Sequence, residues 1–201
     1  YLVLTLLSGK LKAKQIMPSN IFAETNMNFN DKYLSQLLGM VELLRRGNKN
    51  GVEFSNTGFG WQSEGLPQNG VFIPFIQNVT EKCNDFCKEV PNFKFSKVEI
   101  VYFWANINYK HDINWPHRHA GDISGVFYLK APNNSGDLTL HSPYYDVNNK
   151  LSEHLNTESV IKIKPIVNKL VLFDANCSHY VTRSHSDEPR VSISFNADVH
   201  L

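Results

Sequence analysis

The chain has 201 residues, 42% of them hydrophobic and 19% charged, with 20 Lys+Arg against 19 Asp+Glu. That length suits one domain around one core, and the composition excludes disordered and collagen-like chains. Charge is nearly balanced and the basic residues form no block beyond Arg45 and Arg46, which argues against a nucleic-acid groove, since phosphate binding needs a concentrated basic face. A small-molecule or peptidyl partner is expected instead.

The opening run Tyr1-Leu2-Val3-Leu4-Thr5-Leu6-Leu7 is apolar but far shorter than the ~18–20 residues that span a bilayer. It also lacks the positive n-region and small-residue cleavage pattern of a signal peptide. No membrane partner is expected. Three cysteines, Cys83, Cys87 and Cys177, make an odd count without a framework spacing, which points to a reducing compartment and a cytoplasmic location. Cys83 and Cys87 lie four apart on a predicted helix, where core packing outweighs a two-ligand metal site.

The spacing of Tyr33, Leu34, Leu37, Leu38, Val41, Leu43 and Leu44 predicts an amphipathic helix from Asn30 to Arg46, with Asp31 suited to cap it and Gly47 to end it. A second helix is predicted from about Ile73 to Val90, ending before Pro91 and burying Phe75, Ile76, Val79, Cys83 and Phe86. The Gly-, Asn- and Ser-rich stretch between them carries Ser55-Asn56 and two aromatics, Phe59 and Trp61. They either plug the side of the core or form a lip for a ligand.

From Phe95 onward the pattern turns to short β-branched and aromatic runs broken by turn residues. Strands are predicted at Lys97–Tyr109, Ile113–His117, Ile123–Lys130, Asp137–His141, Ser159–Lys164, Lys169–Phe173, Ser178–Thr182 and Arg190–Ala197. This is a mainly β chain with flanking helices: a helical N-terminal part over about 20–95, then a jelly-roll core over about 96–200, in one domain spanning 1–201. The open end of such a double sheet can house a ligand.

Histidine is sparse, 8 in the chain, yet His117 and His119 flank a single residue at the end of a predicted strand. Residues two apart on a strand share a face, so both imidazoles could meet one metal ion. His179 follows the apolar strand Leu170-Val171-Leu172-Phe173, which a jelly roll can bring across to the earlier pair. Two or three protein ligands on one metal face leave positions for oxygen and a chelating co-substrate. Further on, strand alternation puts Arg190 and Ser192 on one face and Val191 and Ile193 on the other. A guanidinium facing a sandwich interior needs an anion, and the distal carboxylate of a dicarboxylate co-substrate suits it. Otherwise Arg190 is an ordinary ion-paired surface arginine.

The ordered set His117-Arg118-His119, Ser124-Gly125-Val126-Phe127-Tyr128-Leu129, Leu170-Val171-Leu172-Phe173, His179 and Arg190-Val191-Ser192-Ile193-Ser194-Phe195-Asn196 resembles the 2-oxoglutarate and Fe(II)-dependent oxygenase family of bacteria and marine phages. Ser55-Asn56, Gly60-Trp61-Gln62-Ser63 and Trp104-Ala105-Asn106 extend the likeness, which covers roughly Pro18 to the end. The resemblance implies a double-stranded β-helix of cupin-like type. It also implies Fe(II) and 2-oxoglutarate as requirements, molecular oxygen as co-reactant, and hydroxylation coupled to decarboxylation of 2-oxoglutarate to succinate. Carried over residue by residue, His117 and His179 match the two metal histidines, and Arg190 with Ser192 the co-substrate clamp. The family commonly has His-x-Asp or His-x-Glu, whereas here the third position is His119. That residue is the first choice for a third ligand, ahead of Asp122, and a site with only two protein ligands is the other option. Tyr128, Asn106 and Asn108 are further candidates to hold the co-substrate. His141 is expected to border the pocket mouth, near Pro143-Tyr144-Tyr145, while His111, His154, His185 and His200 are expected to be solvated or locally bonded.

Two rival readings stay open at this point. One is a three-histidine cupin-type dioxygenase that uses no 2-oxoglutarate. The other is a metal-free β-sandwich that binds a sugar or a partner protein through the loop around Phe59 and Trp61.

Overall fold

A computed structural model of the chain describes residues 12–17, 20–52, 57–141 and 160–201. The opening apolar run, Ser55-Asn56, Pro143-Tyr144-Tyr145, His154 and the start of the strand predicted at Ser159 lie outside the described residues. In chain order the elements are β1 (Lys12–Met17), β2 (Asn20–Asn26), α1 (Asp31–Gly47), β3 (Trp61–Gln62), α2 (Phe72–Lys88), β4 (Lys97–Asn108), β5 (Asn114–His117), β6 (Ile123–Lys130), β7 (Leu138–His141), β8 (Val160–Ile163), β9 (Lys169–Asp174), β10 (His179–Val181) and β11 (Arg190–His200).

The strands form a seven-stranded sheet, β1-β2-β9-β6-β11-β4-β3, and a four-stranded sheet, β5-β10-β7-β8. Every named pairing is antiparallel, as a double-stranded β-helix requires. All eight strands read from the sequence are present, β6 with the same bounds. The N-terminal part is not helical alone, however, because β1 and β2 extend the large sheet through β9.

Period-two alternation gives the large sheet two working faces. On one, Ile123, Phe127 and Leu129 of β6, Leu170 and Leu172 of β9, and Val191, Ile193, Phe195 and Ala197 of β11 pack with the buried stripes of the helices. On the other, Tyr128, Val171 and Phe173 meet Leu138, Leu140 and Ile163 of the small sheet. Strand β4 changes parity within its length: Val98 and Ile100 join the helix-side core, then Phe103, Ala105 and Ile107 do. The register slips between Asn196 and Ala197, which face Tyr102 and Ile100, so Val101 bulges out and is exposed. That one-residue bulge turns Trp104, Asn106 and Asn108 inward, and all three line the cavity between the sheets.

The helix cap differs from expectation. Asn30, not Asp31, is the N-cap, its side chain accepting from Tyr33 N–H at 2.9 Å, while Asp31 sits in the first turn where it favours the helix dipole. Leu43 is 60% exposed and falls off the buried stripe of α1, which is Leu37 and Val41. In α2 the stripe starts a turn earlier than expected, at Phe72, and runs through Phe75, Val79, Cys83, Phe86 and Cys87. Both helix cysteines are therefore core, and burial raises both thiol pKa values, Cys87 to about 11. Among the described residues no helix is long and apolar enough to cross a membrane.

Phe127 is the packing centre between sheet and helices, fully buried with its ring 5.6 Å from Phe29 and 5.3 Å from Phe75. Phe127→Ala is expected to cost about 3–5 kcal/mol in a denaturant titration, the range for emptying a filled aromatic site.

Candidate active site

His117 on β5 and His179 on β10 are direct cross-strand partners in the small sheet. Residues opposite one another on a sheet present side chains to the same side, and the two rings lie 4.2 Å apart. His119 lies beyond the end of β5, so strand parity does not place it. Its backbone N–H donates to the Ala175 carbonyl at 3.0 Å, which anchors the turn. Its ring lies 4.8 Å from that of His117 and 5.0 Å from that of His179. One ligand atom from each of the three falls within 4.8 Å of the others.

The ligand atoms are set by hydrogen bonds to the opposite ring nitrogens. His117 Nδ1 donates to the Trp115 carbonyl at 2.6 Å, and His179 Nδ1 donates to the Cys177 carbonyl at 2.8 Å. Each bond fixes the tautomer that leaves Nε2 as a lone pair. The Nε2 atoms of His117 and His119 approach to 3.2 Å, so they converge on one point. Burial, together with mutual repulsion of charge, lowers the His179 pKa to about 3 and that of His119 to about 4, with His117 lowered by burial as well. All three are thus neutral at pH 7 and able to donate to a metal.

The same shifts predict a pH effect on the metal-free protein. An unfolded histidine titrates near 6.5. Below that pH the unfolded chain binds more protons than the folded one, so stability rises with pH and is lost as pH falls from about 6.5 toward 4. Melting temperatures across that window should show this slope, and His179→Gln should make it shallower.

Asp122, the alternative third ligand, does not join the cluster. It is exposed, and its carboxylate accepts the Val199 N–H at 2.8 Å at the far end of β11. His141 is not among the residues lining the cavity; its ring packs on Tyr180 at 5.2 Å.

At the other end of the cavity lies Arg190, only 3% exposed. Its Nη1 donates to the Gly136 carbonyl at 3.0 Å and its Nη2 to Asn108 Oδ1 at 2.7 Å, while Nε has no partner. Asn108 in turn donates to Asp112 at 2.7 Å and to Asn114 at 3.0 Å. The Asp112 carboxylate is buried and also accepts the backbone N–H groups of Phe59 and Ile113. Asp112 thus balances the guanidinium through an amide relay instead of touching it. Burial lowers the Arg190 pKa, opposed by Tyr128, Asp112 and Asp137. A buried cation with a free N–H and no direct counter-ion is suited to an incoming carboxylate.

Ser192, Tyr128 and Asn106 complete this end. They meet in one register row, Ser192 on β11 lying between Tyr128 of β6 and Asn106 of β4. Asn106 donates to Ser194 at 3.0 Å, and its own Oδ1 is buried without a partner. The Tyr128 hydroxyl is a protonated donor, its pKa raised to about 12 by burial. Asn108 is not free for a ligand, since its amide is fully engaged in holding Arg190. The network beneath it, Asp112 and Asn114 together with Gly136, is what sequence reasoning missed, along with the supporting role of Asn108. The aromatic loop divides: Trp61 is buried, with Nε1 on the Asn48 carbonyl at 2.8 Å, whereas Phe59 is 82% exposed.

Histidine cluster and guanidinium line one cavity, walled by Trp104, Val126, Phe173 and Val181. Residues 102–196, a span that contains every one of these groups, match the family described as "Putative 2OG-Fe(II) oxygenase". No curated protein matches the chain in sequence. Among solved structures, a prolyl-4-hydroxylase from Pseudomonas putida is 12% identical, with 89% of this chain and 91% of that one covered at a TM-score of 0.62. A prolyl hydroxylase from Trichoplax adhaerens, in complex with a hypoxia inducible factor peptide, is 16% identical with 89% and 83% covered and a TM-score of 0.62. HygX from Streptomyces hygroscopicus, solved with nickel, 2-oxoglutarate and hygromycin B, is 10% identical with 88% and 82% covered and a TM-score of 0.64. At such identities the likeness establishes the fold, the double-stranded β-helix. Over its β core, residues 102–196, the chain is thus similar in sequence to the 2-oxoglutarate/Fe(II) oxygenase family, and in fold to solved members of it.

Proposed function

We propose that the chain hydroxylates a small molecule or peptidyl side chain with 2-oxoglutarate as co-substrate, using Fe(II) held by His117, His119 and His179. The carrying observation is that one cavity joins three converging neutral imidazoles to a buried guanidinium with an unpartnered Nε. Both ends fit what the reading asks of them: lone pairs for a cation at one, donors for a dicarboxylate at the other. Bound there, iron supplies the redox chemistry by which O2 is reduced, 2-oxoglutarate is converted to succinate and carbon dioxide, and one oxygen atom enters a substrate C–H bond.

The chain's own residues orient and shield. Arg190, aided by the Ser192 and Tyr128 hydroxyls, fixes the distal carboxylate and so sets where the keto-acid end lies. Asn106 offers its unpartnered Oδ1 as an acceptor on the same wall. Phe173, Val126 and Val181 keep water from the space between the two ends. The three cysteines are free and buried, which fits work in a reducing compartment, the cytoplasm.

The test is anaerobic titration of the metal-free protein with Fe(II) and then 2-oxoglutarate, read by the weak visible absorption of the chelate, followed by succinate measurement in air. Fe(II) binding without the absorption or succinate would favour the dioxygenase that needs no 2-oxoglutarate. On the third ligand, His119→Ala should weaken Fe(II) or Co(II) binding by at least the ~10–100-fold that loss of even an outer-shell partner costs. Asp122→Asn should leave it unchanged, and the reverse pattern would transfer the role to Asp122.

A further inference from the structure

A second concavity is lined by the turn whose Gly136 carbonyl holds Arg190. It measures about 580 Å³ and is bounded by the turn over residues 132–137, by Lys164 and Pro165, and by the segment Thr182 to His185. We propose that this pocket binds a phosphate-type oxyanion. Its lining includes Lys164, Arg183 and His185, all exposed, and one acid, Asp137. Six lysines elsewhere are tied to carboxylates, Lys82, Lys88, Lys97, Lys110, Lys130 and Lys169. Lys164 and Arg183 have no such partner among the described residues, and they converge on a single cavity.

A second observation is independent of charge. Ser135, one of the lining residues, is 1% exposed, and its hydroxyl has no hydrogen-bond partner; the hydroxyl of Ser184, between Arg183 and His185, is likewise buried and unpartnered. Buried hydroxyls without partners are rare in folded proteins and mark places where a ligand or water completes the bonding. An ammonium, a guanidinium and an imidazole around one hollow supply more donors than a carboxylate accepts in one plane. A tetrahedral, multiply charged oxyanion can use them all.

The pocket is well framed. Asp137 N–H donates to Thr182 Oγ1 at 2.8 Å, Thr182 N–H to the Asp137 carbonyl at 3.0 Å, and His185 N–H to the Asn134 carbonyl at 2.8 Å. Gly136, at φ +91°, lies so close to the Thr182 carbonyl that a Cβ would clash with it, so the turn accepts only glycine there. Its carbonyl is the one that holds Arg190.

The experiment is calorimetric titration of the full metal-free chain with inorganic phosphate at constant ionic strength, against chloride as control. Saturable one-to-one binding is expected, weakened roughly tenfold or more in the Lys164→Gln/Arg183→Gln double variant by loss of charge-assisted hydrogen bonds. Both residues are exposed, so that variant should melt like the parent. Absence of saturable binding, or binding that survives the double substitution, would overturn the proposal. A parallel titration with glycerol phosphate identifies the source: tighter binding than inorganic phosphate supports the site as one for a phosphate group on a larger ligand, and weaker binding as one for the free ion. None of these readouts involves iron or 2-oxoglutarate, so they stand apart from the proposed activity.

Discussion

His179→Ala should abolish metal binding and, with it, succinate formation, by at least ~10³-fold, because a bound metal contributes several kcal/mol to such chemistry. His179 is the most buried of the three histidines, 4% exposed, with its ring edge-on to Phe173 at 4.7 Å. Its Nδ1–H bond to the Cys177 carbonyl holds Nε2 toward the cavity before any metal arrives. Without it the remaining pair, His117 and His119, sit on one short segment and cannot enclose an ion. The fold should survive, since burial of a neutral imidazole with a single backbone bond contributes modestly to stability, and far-UV circular dichroism checks that. Co(II) or Ni(II) titration measures the affinity directly. Parent-like metal binding by His179→Ala would mean that the centre lies elsewhere in the protein.

The fold was legible wherever one face of a strand had to be apolar. β6, β9 and β11 alternate visibly because each carries helix-side core on one side and cavity on the other, so their starts followed from the pattern, while β9 and β11 run past the predicted ends to Asp174 and His200. β2 was not legible: Phe22 to Asn26 pair with β9, about 145 positions away, and nothing local announces that partner. Strand propensity is largely a statement about such neighbours. The same holds for β3, two residues long and positioned by β4. The helix cap failed for a local reason, since Asn and Asp at adjacent positions are nearly equal capping residues and spacing alone does not rank them.

For the site, His117, His119 and His179 could be picked out because histidine is rare and their strands were correctly placed. What brings the first and last together is the cross-strand register, which a single chain does not display. Arg190 stood out by parity alone. Its supports did not: by sequence Asn108 reads as a candidate to hold the co-substrate itself, and Asp112 and Asn114 draw no reading, until the turn folds back and makes Asn108 Oδ1 an acceptor for the guanidinium. Buried polar networks are cooperative objects of this kind, visible only when every partner is in place.

Arg190→Lys is expected to raise the KM for 2-oxoglutarate roughly 30-fold or more while leaving Fe(II) affinity near that of the parent, since truncating one side of a buried hydrogen-bonded charge pair costs about 2–5 kcal/mol. Lysine keeps the charge but loses the planar fork. It cannot donate at once to the Gly136 carbonyl and Asn108 Oδ1, as Arg190 does at 3.0 and 2.7 Å, and still present a free N–H to a carboxylate. Arg190→Ala should be worse in both respects. It strands the Gly136 and Asn108 oxygens, each about 1–3 kcal/mol of unmet hydrogen bonding, and leaves the relayed Asp112 charge uncompensated, so stability falls together with co-substrate binding. The lysine variant is therefore the cleaner probe. Steady-state kinetics in 2-oxoglutarate, read beside a Co(II) titration, separate the two ends of the cavity: an unchanged KM in Arg190→Lys would remove Arg190 from the clamp, whereas a raised KM with unaltered metal binding would assign the carboxylate to it.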